Sequence, residues 1–200
     1  HPLIQLYSAG CWDVHVNAFH HAERMQVTLD AWVQRRLLRM KLRWSMEGPD
    51  ILGTGGALRR IEDQIRGRGP ILLLNGDAIV GMDLPALWAE HQRHDAVATL
   101  LCVAHPEAHR YNNIRVAPDG RVLDTPGGGR PPGVTDEDVA AAQATVFCGV
   151  HVIDPSVLEA LPPDGTESCI VRQGYAPLLR AGATVRALVV GPELFFHDVG

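Results

Sequence analysis

The fold is decided by Ile71-Leu-Leu-Leu-Asn-Gly-Asp77, an apolar run that ends in an amide, a glycine and a carboxylate. A short apolar run without polar alternation is typical of a strand that is buried on both faces of a mostly parallel sheet. In such sheets ligands bind beyond the carboxyl ends of the strands. The stretch therefore predicts a buried strand over 71–74 and a functional residue, Asp77, at its tip.

Helical and strand-like patterns alternate on either side of this strand. The apolar residues between 22 and 33 recur at helical spacing, whereas those between 40 and 46 alternate as in a half-buried strand. Helices are predicted at 2–9, 20–38, 53–65, 84–94, 155–160 and 170–181, strands at 11–17, 40–46, 71–74, 96–103, 144–153, 185–190 and 194–197, a hairpin at 113–123 and a mobile loop at 125–140. This alternation predicts an α/β fold, with a mixed, mostly parallel sheet and helices on both faces.

The composition narrows the class of protein. A chain of 200 residues with 46% hydrophobic and 20% charged residues is typical of one soluble globular domain. A net charge of -5 argues against a nucleic-acid or anionic-lipid partner, and no apolar run is long enough for a membrane helix. The four cysteines fit no zinc or redox spacing, so they are interpreted as reduced core thiols of a cytoplasmic protein.

Two strand-end carboxylates are the candidates for a metal site. Asp77 follows the strand predicted at 71–74, and Asp198 follows the one predicted at 194–197. A carboxylate at the tip of a buried strand is costly unless it is paired, and Mg²⁺ binds one or two protein carboxylates together with phosphate oxygens. The alternative is that Asp77 caps the following turn. The histidines do not predict zinc, because no third ligand accompanies their helically spaced pairs.

A glycine-rich loop, Leu52-Gly-Thr-Gly-Gly-Ala-Leu58, opens the helix predicted at 53–65. Exposed backbone N–H groups and the positive end of a helix suit a phosphate or the edge of a nucleobase. The loop is neither the dinucleotide-binding glycine motif nor a P-loop. The alternative is a simple turn in which Thr54 caps the helix. Asn17 is likewise interpreted as the cap of the helix predicted at 20–38. The structural interpretation of Glu167 is an acidic residue in the first turn of the following helix, where the helix dipole favours it.

In this order, the segments resemble the sugar-1-phosphate nucleotidylyltransferases, and most of all their N-acetylmuramate-1-phosphate uridylyltransferase and mannose-1-phosphate guanylyltransferase branch. The resemblance extends over nearly the whole chain. The segments that carry it are His1–Ile4, Val16–Met25, Glu47 with Leu52–Leu58, Leu74–Asp77 as the N-G-D metal motif, Phe147–Val152, and Phe196–Gly200 as the W-x-D-I/V-G-T-P motif.

The resemblance implies a Rossmann-like nucleotidyltransferase core that joins UTP or GTP to a sugar 1-phosphate and releases pyrophosphate, for cell-envelope or glycan synthesis. It implies that Asp77 and Asp198 are catalytic residues that hold Mg²⁺. It places Glu47, Gly53, Thr54, Gly55, Gly56, Asn75 and Gly76 on the nucleotide side. It places Asn113, Gly149 and Glu167 on the sugar side. Neither nucleic acid nor a membrane is an expected partner.

Two family segments have no counterpart in the chain. The opening G-x-G-x-R segment, which holds the triphosphate, is missing before His1, and the closing T-P is missing after Gly200. The chain is therefore interpreted as a single nucleotidyltransferase domain, residues 1–200, that lacks both ends and has little activity alone. A non-catalytic nucleotide- or sugar-binding regulatory subunit stays open as an alternative. A glycosyltransferase is disfavoured, because Asn75-Gly-Asp77 offers one acid where a D-x-D pair is needed.

Overall fold

The computed structural model describes residues 2–36, 38–76, 78–81, 84–108, 111, 113–193 and 196–198, with the backbone alone for 78–80 and 196–198. The helices are α1 (Pro2–Ser8), α2 (Ala22–Arg35), α3 (Gly53–Arg60), α4 (Glu62–Ile65), α5 (Leu84–Gln92), α6 (Asp136–Ala141), a 3-10 helix (Pro155–Ala160), a π-helical turn (Ile170–Tyr175) and α7 (Ala176–Arg180). The strands are β1 (Asp13–Ala18), β2 (Lys41–Met46), β3 (Ile71–Leu74), β4 (Ala78–Val80), β5 (Ala98–Val103), β6 (Ile114–Val116), β7 (Val122–Asp124), β8 (Gln143–Ile153), β9 (Val185–Val190) and β10 (Phe196–Asp198). Within these described ranges, no helix has both the length and the apolar character to cross a membrane.

The long strand β8 is the centre of the main sheet, whose strand order is β7-β6-β8-β5-β9, with β3 also paired to β8. β3 runs antiparallel to β8, with Ile71 opposite Ile153 and Leu74 opposite Val150. β5 is antiparallel to β8 but parallel to β9. As a result β3, β5, β6 and β9 run in one direction, and β7 and β8 run against them. The carboxyl end of β3 therefore lies beside the middle of β8, next to Gly149.

Two shorter strand pairs carry two of the site candidates, Asn17 and Asp198. β1 and β2 are parallel, with Asn17 opposite Ser45, so both strands end at the same edge. β4 and β10 are antiparallel, with Asp198 opposite Ala78. The pairing places position 198 beside the residue that follows Asp77 in the sequence.

Helices cover both faces of the main sheet, and for this reason β5 is buried along its whole length. Leu100 and Cys102 belong to one apolar cluster, together with residues of the 3-10 helix, the π-helical turn and α7. Leu101 and Val103 alternate into a second cluster, together with residues of α1, α2 and α5. The alternation of a strand thus supplies two separate cores, one on each side of the sheet.

The predicted α/β class, with a mixed sheet and helices on both faces, is confirmed. Several elements differ in detail, and β4 is a strand that the sequence patterns did not predict. The helix predicted at 53–65 is divided at Ile61, whose backbone (φ -103°, ψ 12°) leaves the helical range. The helix predicted at 170–181 begins as the π-helical turn and continues as α7. β3 is half-buried instead of fully buried, because in the described part of the chain β8 is its one strand partner.

The prediction of a mobile loop at 125–140 is wrong in part, because α6 begins within this segment. This helix begins with a capping box, in which the Thr135 hydroxyl accepts from Asp138 N and the Asp138 carboxylate accepts from Thr135 N. The preceding turn is fixed by Arg180, whose guanidinium donates to the carbonyls of Gly127 and Gly128. Two reciprocal cap bonds are enough to start a short helix in a segment rich in glycine and proline.

The interpretation of the cysteines as core thiols is correct for two of the four. Cys102 and Cys148 are buried, and burial raises the pKa of each thiol to about 12. Cys11 is half-buried, and Cys169 is exposed at the start of the π-helical turn. Cys169 lies outside the sheet, which the spacing of cysteines in the sequence could not show.

Candidate functional site

The glycine-rich loop packs backbone to backbone on the segment that precedes the π-helical turn. Gly53 has a left-handed backbone (φ +67°), and a Cβ added to it would lie 2.7 Å from Ser168 O. Cβ atoms added to Gly55 and Gly56 would lie 2.5 Å from Ser168 Oγ and 2.6 Å from Thr166 O. Any side chain would prevent so close an approach. The glycines of this loop are therefore required for its packing, in addition to any contact that they make with a ligand.

Hydrogen bonds hold the loop in this position. Gly55 N donates to Ser168 O (2.8 Å), and Ser168 N donates to Leu52 O (2.8 Å). The Thr54 hydroxyl accepts from Ile170 N at 3.1 Å. The alternative in which Thr54 caps its own helix is wrong, since Leu52 is the N-cap residue of α3 and no side chain caps it.

The loop residues differ in what they leave open to a ligand. Gly55 and Gly56 are buried, Gly53 is half-buried and Thr54 is exposed. Because Gly55 N is already bonded within the protein, the positive end of α3 is only partly free. Gly53 and Thr54 are therefore the loop residues that can contact a bound molecule.

Glu47 connects the end of β2 to the beginning of this loop. Its side chain is buried, and Oε1 accepts from Asn17 Nδ2 while Oε2 accepts from Leu52 N, each at 2.7 Å. The interpretation of Asn17 as a helix cap is wrong. The N-cap of α2 is His21, in a left-handed conformation (φ 51°) without a side-chain cap, and the Asn17 amide is turned to Glu47.

Asn75 and Gly149 are in direct contact at the carboxyl end of β3. Asn75 N donates to Gly149 O (2.8 Å), and Gly149 has a positive φ of +71°. A Cβ added to Gly149 would lie 2.8 Å from both Cγ and Nδ2 of Asn75. The Asn75 amide occupies the space that a side chain at position 149 would fill. A residue predicted for the nucleotide side thus touches one predicted for the sugar side.

Replacing Gly149 with alanine is expected to displace the Asn75 side chain. We expect kcat/KM of any reaction catalysed at this site to fall by about 100-fold, the scale that a displacement of about 1 Å produces. Gly128 offers a matched control. Its φ is also +71°, but nothing lies within 4 Å of an added Cβ. Gly128→Ala therefore carries the same left-handed strain without the clash. Steady-state kinetics of the two variants check the prediction, which is contradicted if they lose the same activity.

The two carboxylates predicted for the metal site are described only in part. Asp77 lies outside the described residues, and Asp198 is described by its backbone, which pairs with Ala78 in the β4–β10 ladder. Among the side chains that the structure does describe, no group of three His, Cys, Asp or Glu could hold a metal ion. Metal binding by positions 77 and 198 accordingly remains a prediction.

Three further predicted residues, Gly76, Glu167 and Asn113, differ in exposure and in surroundings. Gly76 is exposed, with nothing within 4 Å of an added Cβ. Glu167 is exposed between the two residues on which the glycine loop packs, so the fold brings this sugar-side residue to the nucleotide-side loop. Asn113 is half-buried just before β6, and in the described part of the chain no hydrogen bond joins its side chain to the other predicted residues.

Sequence reasoning missed a buried polar pair behind this region. Tyr175 Oη and His151 Nδ1 lie 2.6 Å apart, and both side chains are buried. Burial lowers the pKa of His151 to about 3 and raises that of Tyr175, so both groups are neutral. The pair joins β8 to the end of the π-helical turn. Nothing in the sequence marks it, because the two residues are far apart and each fits an apolar pattern.

Comparison with known proteins places the chain in a family. A family model described as Nucleotidyl transferase matches residues 1–125. The bifunctional protein GlmU of Synechococcus elongatus is 32% identical over 119 residues, which are 56% of this chain and 25% of that protein. The glucose-1-phosphate adenylyltransferase of Nitrosospira multiformis is 36% identical over 76 residues, which are 36% of this chain and 18% of that protein. The chain thus spans about a quarter or less of the length of these relatives.

A solved structure agrees at the level of the fold. HddC from Yersinia pseudotuberculosis, complexed with GMP-PN, matches with a TM-score of 0.70 and 17% identity, over 98% of this chain and 77% of that one. The family match and the shared fold confirm the resemblance to sugar-1-phosphate nucleotidyltransferases that the motifs indicated. The chain belongs to the nucleotidyl transferase family.

Proposed function

We propose that this protein transfers a nucleoside monophosphate from a nucleoside triphosphate to a sugar 1-phosphate, and releases pyrophosphate. The observation that carries the proposal is the β4–β10 ladder, in which Asp198 pairs with Ala78, the neighbour of Asp77. The backbone of Asp198 thereby lies beside the residue that follows Asp77 in the sequence, and Asn75, just before this ladder, contacts Gly149. This is the edge at which α/β sheets bind ligands.

The chemistry requires little of the protein beyond position and charge. A phosphate oxygen of the sugar 1-phosphate attacks the α-phosphorus of the nucleotide, and the bond from that phosphorus to the pyrophosphate oxygen breaks. The attacking phosphate is already ionised at neutral pH, so no general base has to remove a proton. The work of the chain is to hold the two phosphates in line and to exclude competing orientations.

We assign Asp77 and Asp198 to a divalent ion, Mg²⁺. The donors fit the ion, because Mg²⁺ prefers carboxylate oxygens and takes its other ligands from phosphates and water. When bound, it would neutralise charge on the phosphates as they react. The assignment rests on the backbone pairing of β4 with β10 and on the chemistry of the two side chains.

The remaining residues divide between the two substrates. Gly53 and Thr54 are the accessible part of the nucleotide-side loop, while Glu47, Gly55 and Gly56 support it from beneath. Asn75 and Gly76 continue the nucleotide side toward the phosphates. We place the sugar against Gly149, Glu167 and Asn113. The protein would act in the cytoplasm, in the supply of nucleotide sugars for envelope or glycan synthesis.

Pyrophosphate release by the full-length protein with Mg²⁺ tests this function. UTP, GTP and ATP are each combined with N-acetylmuramate, mannose and glucose 1-phosphates. Turnover with one pair, and release that depends on both substrates, is the expected result. Binding of a nucleotide without turnover in any pair would contradict the proposal and favour a regulatory subunit.

A further inference from the structure

The buried carboxylate of Glu47 lies between two parts of the candidate site. β2 ends at Met46, and Glu47 N extends the ladder by donating to Ala18 O at 2.9 Å. The side chain then reaches beyond the sheet edge, where one oxygen binds the amide of Asn17 and the other binds the backbone N–H of Leu52. Its exposed fraction is only 9%. Each oxygen thus already accepts one hydrogen bond from the protein itself.

Leu52 transmits this contact to the opposite side of the loop. Its N–H is held by Glu47, and its carbonyl accepts from Ser168 N. Leu52 is 3% exposed, and the next residue, Gly53, has a left-handed backbone that turns the chain into α3. One residue therefore joins the end of β2 to the segment that carries Glu167.

We infer that Glu47 is a positioning residue that sets the glycine loop through Leu52 and makes no direct contact with the nucleobase. The inference rests on the proposed function for its kinetic consequences. A charge-assisted hydrogen bond to a backbone N–H is stronger than a neutral one, and here it fixes the residue next to the accessible part of the loop. The nucleotide would then contact Gly53 and Thr54 in a geometry that Glu47 determines from behind.

The chemistry of the neighbours predicts which substitutions are tolerated. In Glu47→Gln, the amide oxygen can accept from Leu52 N while the amide nitrogen donates to Asn17, whose own amide needs only to turn over. Both bonds survive in neutral form. In Glu47→Leu, which has nearly the same size, neither bond can form, and the Leu52 N–H is left buried without an acceptor. The two variants separate hydrogen bonding from volume and from charge.

The kinetic test compares these variants with the wild type. Glu47→Leu is expected to raise KM by about tenfold for each of UTP, GTP and ATP that is turned over, the change that the loss of one good hydrogen bond produces. We expect kcat to stay within about threefold, because no group at the reacting phosphates is removed. Glu47→Gln is expected to restore most of the affinity. A change in the ranking of the bases in Glu47→Gln would overturn the inference, because it would mean that the carboxylate reads the base directly.

A second measurement does not depend on activity. Amide hydrogen exchange at Leu52 in the substrate-free protein is expected to accelerate about tenfold in Glu47→Leu and to change little in Glu47→Gln. Glu137→Leu, at an exposed position of α6, is the control for the loss of a carboxylate. Unchanged exchange at Leu52 in Glu47→Leu would overturn the inference even if the enzyme is active. If no nucleotide is turned over, the proposed function fails, and exchange alone decides the role of Glu47.

Discussion

Replacing Asp198 with asparagine is expected to lower the rate of pyrophosphate release about 1000-fold at saturating substrates. A metal ion at reacting phosphates contributes several kcal/mol to the transition state, and each 1.36 kcal/mol is tenfold in rate. Asparagine keeps the size of the side chain but removes the charge that we propose holds the ion. Because Asp198 pairs with Ala78, Asp77→Asn is expected to have the same effect through the same ion.

The two substitutions should not add. Groups that act as one unit lose their function together, so the double variant is expected to be no slower than either single variant. Asp63→Asn, at an exposed position of α4, is the matched control and should leave the rate unchanged. Thermal unfolding of each variant shows whether the fold is retained. An Asp198→Asn protein that is folded and keeps more than about a tenth of the activity would contradict the metal assignment.

The outline of the fold could be predicted because its information is local. The apolar run at 71–74 and the helical spacing between 22 and 33 both appear as predicted, as β3 and α2. Each pattern depends on neighbours within a few residues. The half-exposure of β3 could not be predicted, since it depends on which strands pair beside it.

The contacts of the site could not be predicted because they join distant parts of the chain. Three glycines in four residues indicate a close backbone approach, but not that Thr166 and Ser168 are what approaches. Asn17 before a helix is typical of a cap, yet its amide has a better partner in Glu47, thirty positions away. In both cases a contact with a distant part of the chain determines the structure, and neighbouring residues alone do not reveal that contact.

The buried pair of His151 and Tyr175 makes stability depend on pH. His151 lies on β8 between Leu73 of β3 and Leu100 of β5, and it is 2% exposed. Burial lowers its pKa to about 3 in the folded protein, against 6.5 for an ordinary histidine. Below pH 6.5 the unfolded chain therefore binds a proton at this histidine and the folded chain does not. The free energy of unfolding consequently falls as the pH falls.

The size of this pH dependence follows from the binding of one proton by the unfolded chain. The free energy of unfolding is expected to fall by about 1.4 kcal/mol for each pH unit between 6.5 and 3, or about 2 kcal/mol by pH 5. The pKa values of His15 and His91 are also lowered by burial, and they add to the loss in the same direction. A variant without His151 should lose the part of the pH dependence that comes from His151 and keep the part that comes from His15 and His91.

His151→Asn isolates this share, because asparagine offers a hydrogen-bonding atom near the place of Nδ1 and does not titrate. Urea unfolding at pH 7, 6 and 5 is expected to show a lower stability at pH 7, from the smaller side chain, and a shallower fall toward pH 5. Equal slopes for the wild type and His151→Asn would mean that the folded protein accepts the proton at His151. In that case the contact with Tyr175 would have to open as the pH falls, since a charged imidazole cannot stay in that apolar layer without a counter-ion.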